Sequence, residues 1–426
     1  MENESAFDAL IAAKKNKQVE NNSMMSFMPI MKNKILVPFE FETLNDYTGK
    51  LYGYIQKDTG VHIIIGWEGN KPDIALKTYE IGFIKERHNE INCIEIKHGE
   101  ILGCREQNGI INYYYRNAES CQTITLQKEI YSLTQDLFLR NTGLLESSKM
   151  KEKTVLIVGC GSVGGTLALQ LARSGVGHFV LVDTDTIEIH NICRHQCNLT
   201  DIGRFKTFAL RDRIIAINPS AIIKCFNNII QNVTSNDLDN LLNDQSVIVG
   251  CGDNRLSDAY SCEEAYIRNI PFISIGFWTN AFVCEIVTCI PQRGDTCYRC
   301  ALQGPIEKSI EIANNNRRYV RPGEQEKIIF EPGISIDIEF GTSIGSKIVI
   351  DALNFNDSSY VPKVLHSLTQ YTLICNTNNV EINNDNEETR KAAETLKTDL
   401  SMFSNPLQVV RNINFEKGDC KYCNHI

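Results

Sequence analysis

The chain lacks the features that mark membrane and secreted proteins. No apolar run approaches the roughly 20 residues that a membrane helix requires. The opening residues, MENESAFDAL, have neither the basic segment nor the apolar stretch of a secretion signal. Positive charge is also scarce: 43 Lys and Arg against 52 Asp and Glu leave a formal net charge of -9, a field that repels nucleic acid and anionic membranes. A cytoplasmic protein with no nucleic-acid or membrane partner is therefore expected, and any phosphate site must be a local gathering of cations. At 42% apolar and 22% charged residues, a disordered or collagen-like chain is excluded. A length of 426 residues can bury a full core and favours two domains.

Residues 1–34 are polar and rich in Lys, Asn and Met, and read as a flexible arm. From 35 to about 120, short runs such as ILVPFEF, LYGYIQ, VHIIIGW and IINYYYR alternate with turn signals. They predict a small β-rich domain with no catalytic constellation, a module for docking or dimerisation. Residues 122–150 read as helical and open a second domain, 121–426. Its first segment, TVLIVGCGSVGGTLALQLARSGVGHFVLVDTD, has the strand, glycine turn, helix and strand of a βαβ unit. Apolar runs at Ile222–Cys225, Ser246–Gly250, Pro271–Ile275 and Val283–Ile290 alternate with helical stretches at Lys206–Ile217 and Ser257–Arg268. The pattern predicts an α/β fold of Rossmann type: a doubly wound, mostly parallel sheet with an antiparallel extension. Polar interruptions at 303–331 and 375–391 read as surface loops, the second disordered.

Gly159, Gly161 and Gly164 form G-x-G-x-x-G at the mouth of a helix, where backbone N–H groups can approach phosphate. Asp183 follows at the tip of the next strand, at the distance where a carboxylate accepts from ribose hydroxyls. These features alone leave NAD, FAD and ATP open. Downstream stand Asp185, Asn191, Arg194 and Lys206, and then Asp253 after the strand Ser246–Gly250. Dinucleotide binding has no need of this set. Cleavage between the α and β phosphates of ATP does need it, because fixed cations must meet the charge of departing pyrophosphate. An Asp at the carboxyl end of a parallel strand suits magnesium. Cys297-x-x-Cys300 and Cys420-x-x-Cys423 offer four thiolates in two tight pairs, the ligand set of a closed zinc site.

On Gly159-Cys160-Gly161-Ser162-Val163-Gly164, Asp183-x-Asp185, Asn191-x-x-Arg194-His195, Gly203-x-x-Lys206, Asp253-Asn254-Arg255 and the two cysteine pairs, the sequence resembles the ThiF/MoeB/MccB adenylyltransferases of the ubiquitin-activating superfamily, from about Tyr131 onward. The resemblance implies Asp183 on the ribose, Asn191, Arg194 and Lys206 on the triphosphate, and Asp253 on magnesium. It also implies a homodimer in which Arg140 crosses to the partner's phosphates. The implied reaction adenylates the C-terminal carboxylate of a ubiquitin-like protein or peptide, with a downstream carrier protein as a possible acceptor.

Relatives that pass the adenylate to a crossover-loop Cys set a further expectation. From Ala301 to Ile374 this chain has no Cys, so transfer at that place is excluded. Direct hand-over of the adenylate is preferred to an oxyester at Ser335, read as a helix cap, or a thioester at Cys193 or Cys197, both read as buried packing. The alternatives are a nicotinamide or flavin oxidoreductase, a catalytically silent scaffold, and, more weakly, a tRNA-modifying dehydratase.

Overall fold

The structure, a computed structural model, describes residues 33–132 with breaks at 45, 57, 70–78, 87–95, 98 and 118–120. It further describes 136–278, 281–302, 332–376 and, towards the C-terminus, 407, 409–411, 415 and 418–425. The expected arm up to residue 32, the insertion at 303–331 and nearly all of the loop at 375–391 lie outside these residues, while Lys34, the last residue of the expected arm, belongs to the first strand. The chain divides into two compact units, Met1–Leu133 and Thr134–Ile426.

The first unit is a closed barrel of seven strands, in the order β1-β3-β2-β4-β5-β6-β7. They are β1 (Lys34–Pro38), β2 (Gly49–Ile55), β3 (His62–Trp67), β4 (Tyr79–Glu86), β5 (Ile101–Arg105), β6 (Ile111–Arg116) and β7 (Thr123–Tyr131), with a short helix α1 (Phe39–Glu42) after β1. Alternate residues point inward, so Ile35, Val37, Leu51 and Ile64 are wholly buried. The last strand corrects the helical reading of 122–150. β7 runs parallel to β1 from Lys34↔Gln127 to Pro38↔Tyr131 and antiparallel to β6, which closes the barrel. Its Lys, Glu and Gln side chains suit a helix in isolation. Satisfying the backbone groups of two open edges outweighs that preference, and the unit ends after β7 rather than at 120.

The second unit is an eight-stranded sheet in the order β10-β9-β8-β11-β12-β13-β14-β15. Its strands are β8 (Thr154–Val158), β9 (His178–Val182), β10 (Ile222–Phe226), β11 (Ser246–Gly250), β12 (Phe272–Phe277), β13 (Val283–Cys289), β14 (Tyr371–Cys375) and β15 (Val409–Arg411). The first five are parallel and the remainder antiparallel. Its helices are α2 (Ser147–Lys151), α3 (Ser162–Arg173), α4 (Lys206–Ile217), α5 (Ser235–Leu241), α6 (Arg255–Ile267), α7 (Tyr298–Ala301) and α8 (Ser335–Leu353). Helices α3, α4 and α8 bury one sheet face through Leu167, Leu171, Leu210 and Ile348. Helices α5 and α6 cover the other through Leu238, Ala259, Cys262 and Ala265. β8 and β11 are buried along their whole length, as central parallel strands are.

Helix α8 carries two glycines in its interior. Gly341 and Gly345 are close-packing points within it, because an added Cβ would lie 2.7 Å from Cys284 and 2.5 Å from Ile275. Chain order reverses at β8 and β11, so the loops after these strands and after β9 open onto one crevice.

The turn before α3 tolerates no side chain at Gly164, whose Cβ would stand 1.9 Å from the Gly159 carbonyl oxygen. Gly164→Ala should cost about 2 kcal/mol or more of stability and weaken nucleotide binding. A melting temperature unchanged from the parent would contradict this packing.

Candidate functional site

A cavity of about 400 Å³ lies at the carboxyl ends of β8, β9, β11 and β12. At its centre Gly159 adopts φ 95°, and a Cβ there would meet the Gly252 backbone nitrogen at 2.8 Å, so the turn needs glycine twice over. At Gly161 an added Cβ would meet nothing within 4 Å, and the residue caps α3 with no side-chain hydrogen bond. Gly161, Ser162 and Val163, the cap and first residues of this 12-residue helix, line the cavity. The Asp183 carboxylate accepts the Cys160 N–H at 2.6 Å and the Asp185 N–H at 2.8 Å, which ties the end of β9 to the turn.

The segment between β9 and α4 carries most of the remaining polar groups. Asn191 accepts the Glu188 N–H at 2.9 Å, closing the turn Ile189–Asn191. Lys206 opens α4, and its Nζ lies 2.7 Å from Asp185 Oδ2. Asp201 anchors the segment by accepting from Arg204 at 2.9 Å and Arg213 at 2.6 Å. His195 has a positioning role. Its Nδ1 accepts the Cys197 N–H at 3.1 Å, so Nε2 carries the proton and donates to the Cys160 carbonyl at 2.8 Å. Burial pushes its pKa down, keeping the ring neutral. The imidazole thus fastens the Arg194 segment to the glycine turn.

Beyond the turn, the cavity floor is a buried charge network. Glu285 on β13 accepts from Arg255 at 2.8 and 3.1 Å, from Trp278 Nε1 at 3.0 Å and from the Tyr371 hydroxyl at 2.7 Å. Burial would raise its pKa, but Arg255 outweighs that effect and holds it below the usual carboxylate range. Asp258, on α6, accepts from Ser274 Oγ at 2.7 Å, and burial pushes its pKa up to about 7. Sequence reading assigned these residues no role. The available signal was a lone Glu inside the apolar run VCEIVTCI, since an acid buried in a strand must find a cation.

Of the residues expected at the site, Gly159, Gly161, Asp183, Asp185, Asn191, Arg194, Lys206 and Asp253 all line this cavity. Gly164 supports the turn from behind, and Arg140 is exposed on the turn Asp136–Asn141, away from the lining. Pro332 and Gly333 also line the cavity, with the position of a Gly333 Cβ 3.7 Å from Arg194 Nη1. Ser335 does not line it. It is the first helical residue of α8, not its cap, and its hydroxyl donates to Glu339 at 2.7 Å. Cys197 is buried, and burial pushes its thiol up to about 12, but Cys193 is exposed, against the expectation of packing for both.

Cys297, Cys300, Cys420 and Cys423 place their sulfurs within 4.8 Å of one another. Sulfurs sharing a tetrahedral zinc at about 2.3 Å stand about 3.8 Å apart, so the donor set and spacing fit zinc. A Cβ on Gly418 would press within 2.7 Å of Cys300 Sγ, so the C-terminal segment folds tightly around the thiols. Tyr298, between the first two cysteines, is fully buried, lines the cavity and accepts from Arg255 at 3.1 Å. The thiol cluster and the cavity floor therefore share a residue.

Metal analysis of purified protein should find about one zinc per chain, and Cys420→Ser should lower the melting temperature by several degrees. Metal-free protein as stable as metal-loaded protein would rule out this staple. Asp258 makes a separate prediction. Between its ordinary value of 3.8 and about 7 the folded chain keeps a proton that the unfolded chain has lost, so stability falls as pH rises through that window and stays lower above it. Asp258→Asn should gain stability relative to the parent on going from pH 5 to pH 8. A difference that stays constant with pH would show that this carboxyl is not strained.

A family model described as "ThiF family" matches residues 133–395. The protein named adenylyltransferase and sulfurtransferase MOCS3 of Drosophila willistoni is 32% identical over 193 residues, 45% of this chain and 41% of that protein. The molybdopterin-synthase adenylyltransferase of Escherichia coli is 26% identical over 174 residues, 41% of this chain and 68% of that one. The chain spans less than half the length of the Drosophila relative, and 30% of a probable molybdopterin-synthase adenylyltransferase of Porphyra purpurea. E. coli MccB solved with ATP aligns at a TM-score of 0.41 and 21% identity, over 54% of this chain and 62% of that one. The family match takes in more than half of the chain and every residue that lines the cavity, and the chain belongs to the ThiF family.

Proposed function

We propose that the chain is an adenylyltransferase that activates the C-terminal carboxylate of a ubiquitin-like protein or peptide with ATP. The observation that carries this reading is the single cavity in which the glycine turn, Arg194, Lys206 and Asp253 meet and which continues past them over β11 to β13. It offers a triphosphate cradle with space beyond it for a second reactant. Hydride transfer needs no such cations, and the relatives named above are called adenylyltransferases.

In the proposed reaction a carboxylate oxygen of the acyl donor attacks the α-phosphorus. The new P–O bond forms as the bond to the bridging α,β oxygen breaks, and pyrophosphate leaves with the electron pair. Asp183 would accept from the ribose, and the α3 N–H groups would hold phosphate. Lys206, steadied by Asp185, and Arg194 would meet the charge that develops on the leaving group. Asp253 would hold magnesium, which supplies further neutralisation of the phosphate oxygens. Arg140 is offered to the phosphates of a partner subunit in a homodimer. The absence of Cys between 301 and 374 and the engagement of Ser335 with Glu339 favour direct hand-over of the adenylate, for instance to a carrier protein. The barrel is assigned to docking or dimerisation, and the location to the cytoplasm.

Arg194→Ala should reduce substrate-dependent ATP–pyrophosphate exchange at least about a hundredfold while melting temperature and zinc content stay unchanged. Exchange close to the parent rate would reject the assignment. Asp253→Ala should lose magnesium-dependent turnover far more than ATP affinity, and equal loss of both would remove its proposed role.

A further inference from the structure

A second cavity, of about 510 Å³, lies at the amino ends of β8, β11 and β12. Ser246, the first residue of β11, lines it, whereas Cys251 to Asp253, just past the other end of that strand, line the cavity at the glycine turn. The two openings are therefore separated by the length of one buried strand, and the volume of the second is in the range of small-molecule sites.

Lys153, the residue before β8, has no evident part in holding the fold. It is 9% exposed, and its ammonium has no hydrogen-bond or ion-pair partner among the described residues. Its Nζ is not sealed, in contrast to the unpartnered ring nitrogens of His62, so the surface it keeps opens into the cavity that Lys153 lines. Burial pushes its pKa down, and the pull of Asp357 and Asp244 does not make this good. This cation has given up hydration without gaining a partner, which is costly unless a ligand supplies one.

The neighbouring groups define that ligand. Lys149 is spent on Asp357 at 2.7 Å, and the other oxygen of that carboxylate accepts from the Ser359 N–H and hydroxyl. Glu152 and Asp244 also line the cavity but are exposed. Lys149 and Lys153 against Glu152, Asp244 and Asp357 leave the lining with a net charge of -1, so a bare anion drawn to Lys153 is opposed by the acids around it. A dipolar molecule, with an anionic group for Lys153 and a cationic one for the exposed acids, meets both demands. Pro271, Leu353 and Phe355 add an apolar wall, and Phe355, just after α8, is 40% exposed, a ring face open to a ligand.

We propose that this cavity binds a free α-amino acid with an apolar side chain, its carboxylate on Lys153, its ammonium towards Asp244 and its side chain against Phe355. The site shares no residue with the cavity to which adenylation is assigned, and it stands or falls separately from that reading.

Isothermal titration calorimetry on the full chain, with L-phenylalanine as the probe, tests it. Phenylalanine should bind saturably. Phenylalanine amide, which lacks the carboxylate, should bind at least about tenfold more weakly, and N-acetylphenylalanine, which lacks the ammonium, at least about threefold. Lys153→Met should weaken phenylalanine at least about tenfold with an unchanged circular dichroism spectrum, and Asp244→Asn about threefold. Phe355→Ala keeps the test decisive if Lys153→Met does not fold: it should weaken phenylalanine about fivefold and leave glycine unaffected. Arg194→Ala, at the other cavity, should bind as the parent does. No heat with about 10 mM phenylalanine, equal affinity for acid and amide, or parent-like binding by Lys153→Met or Phe355→Ala overturns the proposal. Loss of binding in Arg194→Ala overturns it by placing the ligand at the glycine turn, and tighter binding of inorganic phosphate than of phenylalanine overturns it by making the site one for simple anions.

Discussion

The contact between the turn after β8 and the end of β11 sets the geometry of the whole crevice. Gly159 lies so close to Cys251 and Gly252 that no side chain could intervene, and β8 pairs with β11 along five residues beneath that contact. Chain order reverses across this strand pair, so loops leaving in opposite directions are drawn towards one point. The Cys160 N–H to Asp183 bond brings in β9, and His195 brings in the Arg194 segment through the Cys160 carbonyl. Asp183, Asp185 and the Arg194 segment are thus tied directly or at one remove to the glycine turn. Rigidity there matters because fixed dipoles help a charged transition state only if they need not reorganise.

Charge is distributed unevenly around that point. At the glycine-turn end Lys206, itself largely covered, pairs with the exposed Asp185 at 2.7 Å. At the floor the half-buried Arg255 pairs with the buried Glu285 in a geometry that fills both oxygens of that carboxylate. A buried pair of this kind adds little net stability over apolar packing, whereas losing one member is costly. Its value lies in shape: Arg255 links β13 to α6, and Trp278 and Tyr371 orient around the same carboxylate. Asp258 gains the least, being buried beside a cation already spent on another acid.

The division between what the residues announced and what they concealed follows from the range of the interactions involved. The glycine turn, the strands β8 to β13 and α4 are encoded by local periodicity and turn chemistry, and their bounds were readable within a few residues. Asp183 and Asp253 could be placed just beyond strand ends for the same reason, and Lys206 at the start of α4. β7 was hidden because TLQKEIY suits a helix locally, and only pairing with β1, some 90 positions away, makes it a strand. The floor was hidden because Asp258, Glu285, Tyr298 and Tyr371 are far apart in sequence and each looks like ordinary core or surface. His195 was visible within a motif, but its work, a tautomer fixed by Cys197 so that it can hold Cys160, exists only in three dimensions.

The thiol cluster belongs to the same logic. A structural zinc site on a C-terminal tail would ordinarily act on stability alone, by fixing a segment that would otherwise fray. Here Cys297 precedes Tyr298, a residue with no exposed surface whose ring packs edge-on against Phe272 and whose hydroxyl meets Arg255. The Cys297 N–H also donates to Cys423 Sγ, so the two cysteine pairs, 123 residues apart between Cys297 and Cys420, hold one short helix in place. Rotating that helix by even a fraction of a turn would withdraw Tyr298 from Arg255, and Arg255 cannot move without leaving Glu285 uncompensated. The tail is therefore coupled to the cavity floor through a chain of three buried contacts, and the order of the C-terminal segment and the shape of the cavity floor depend on one another.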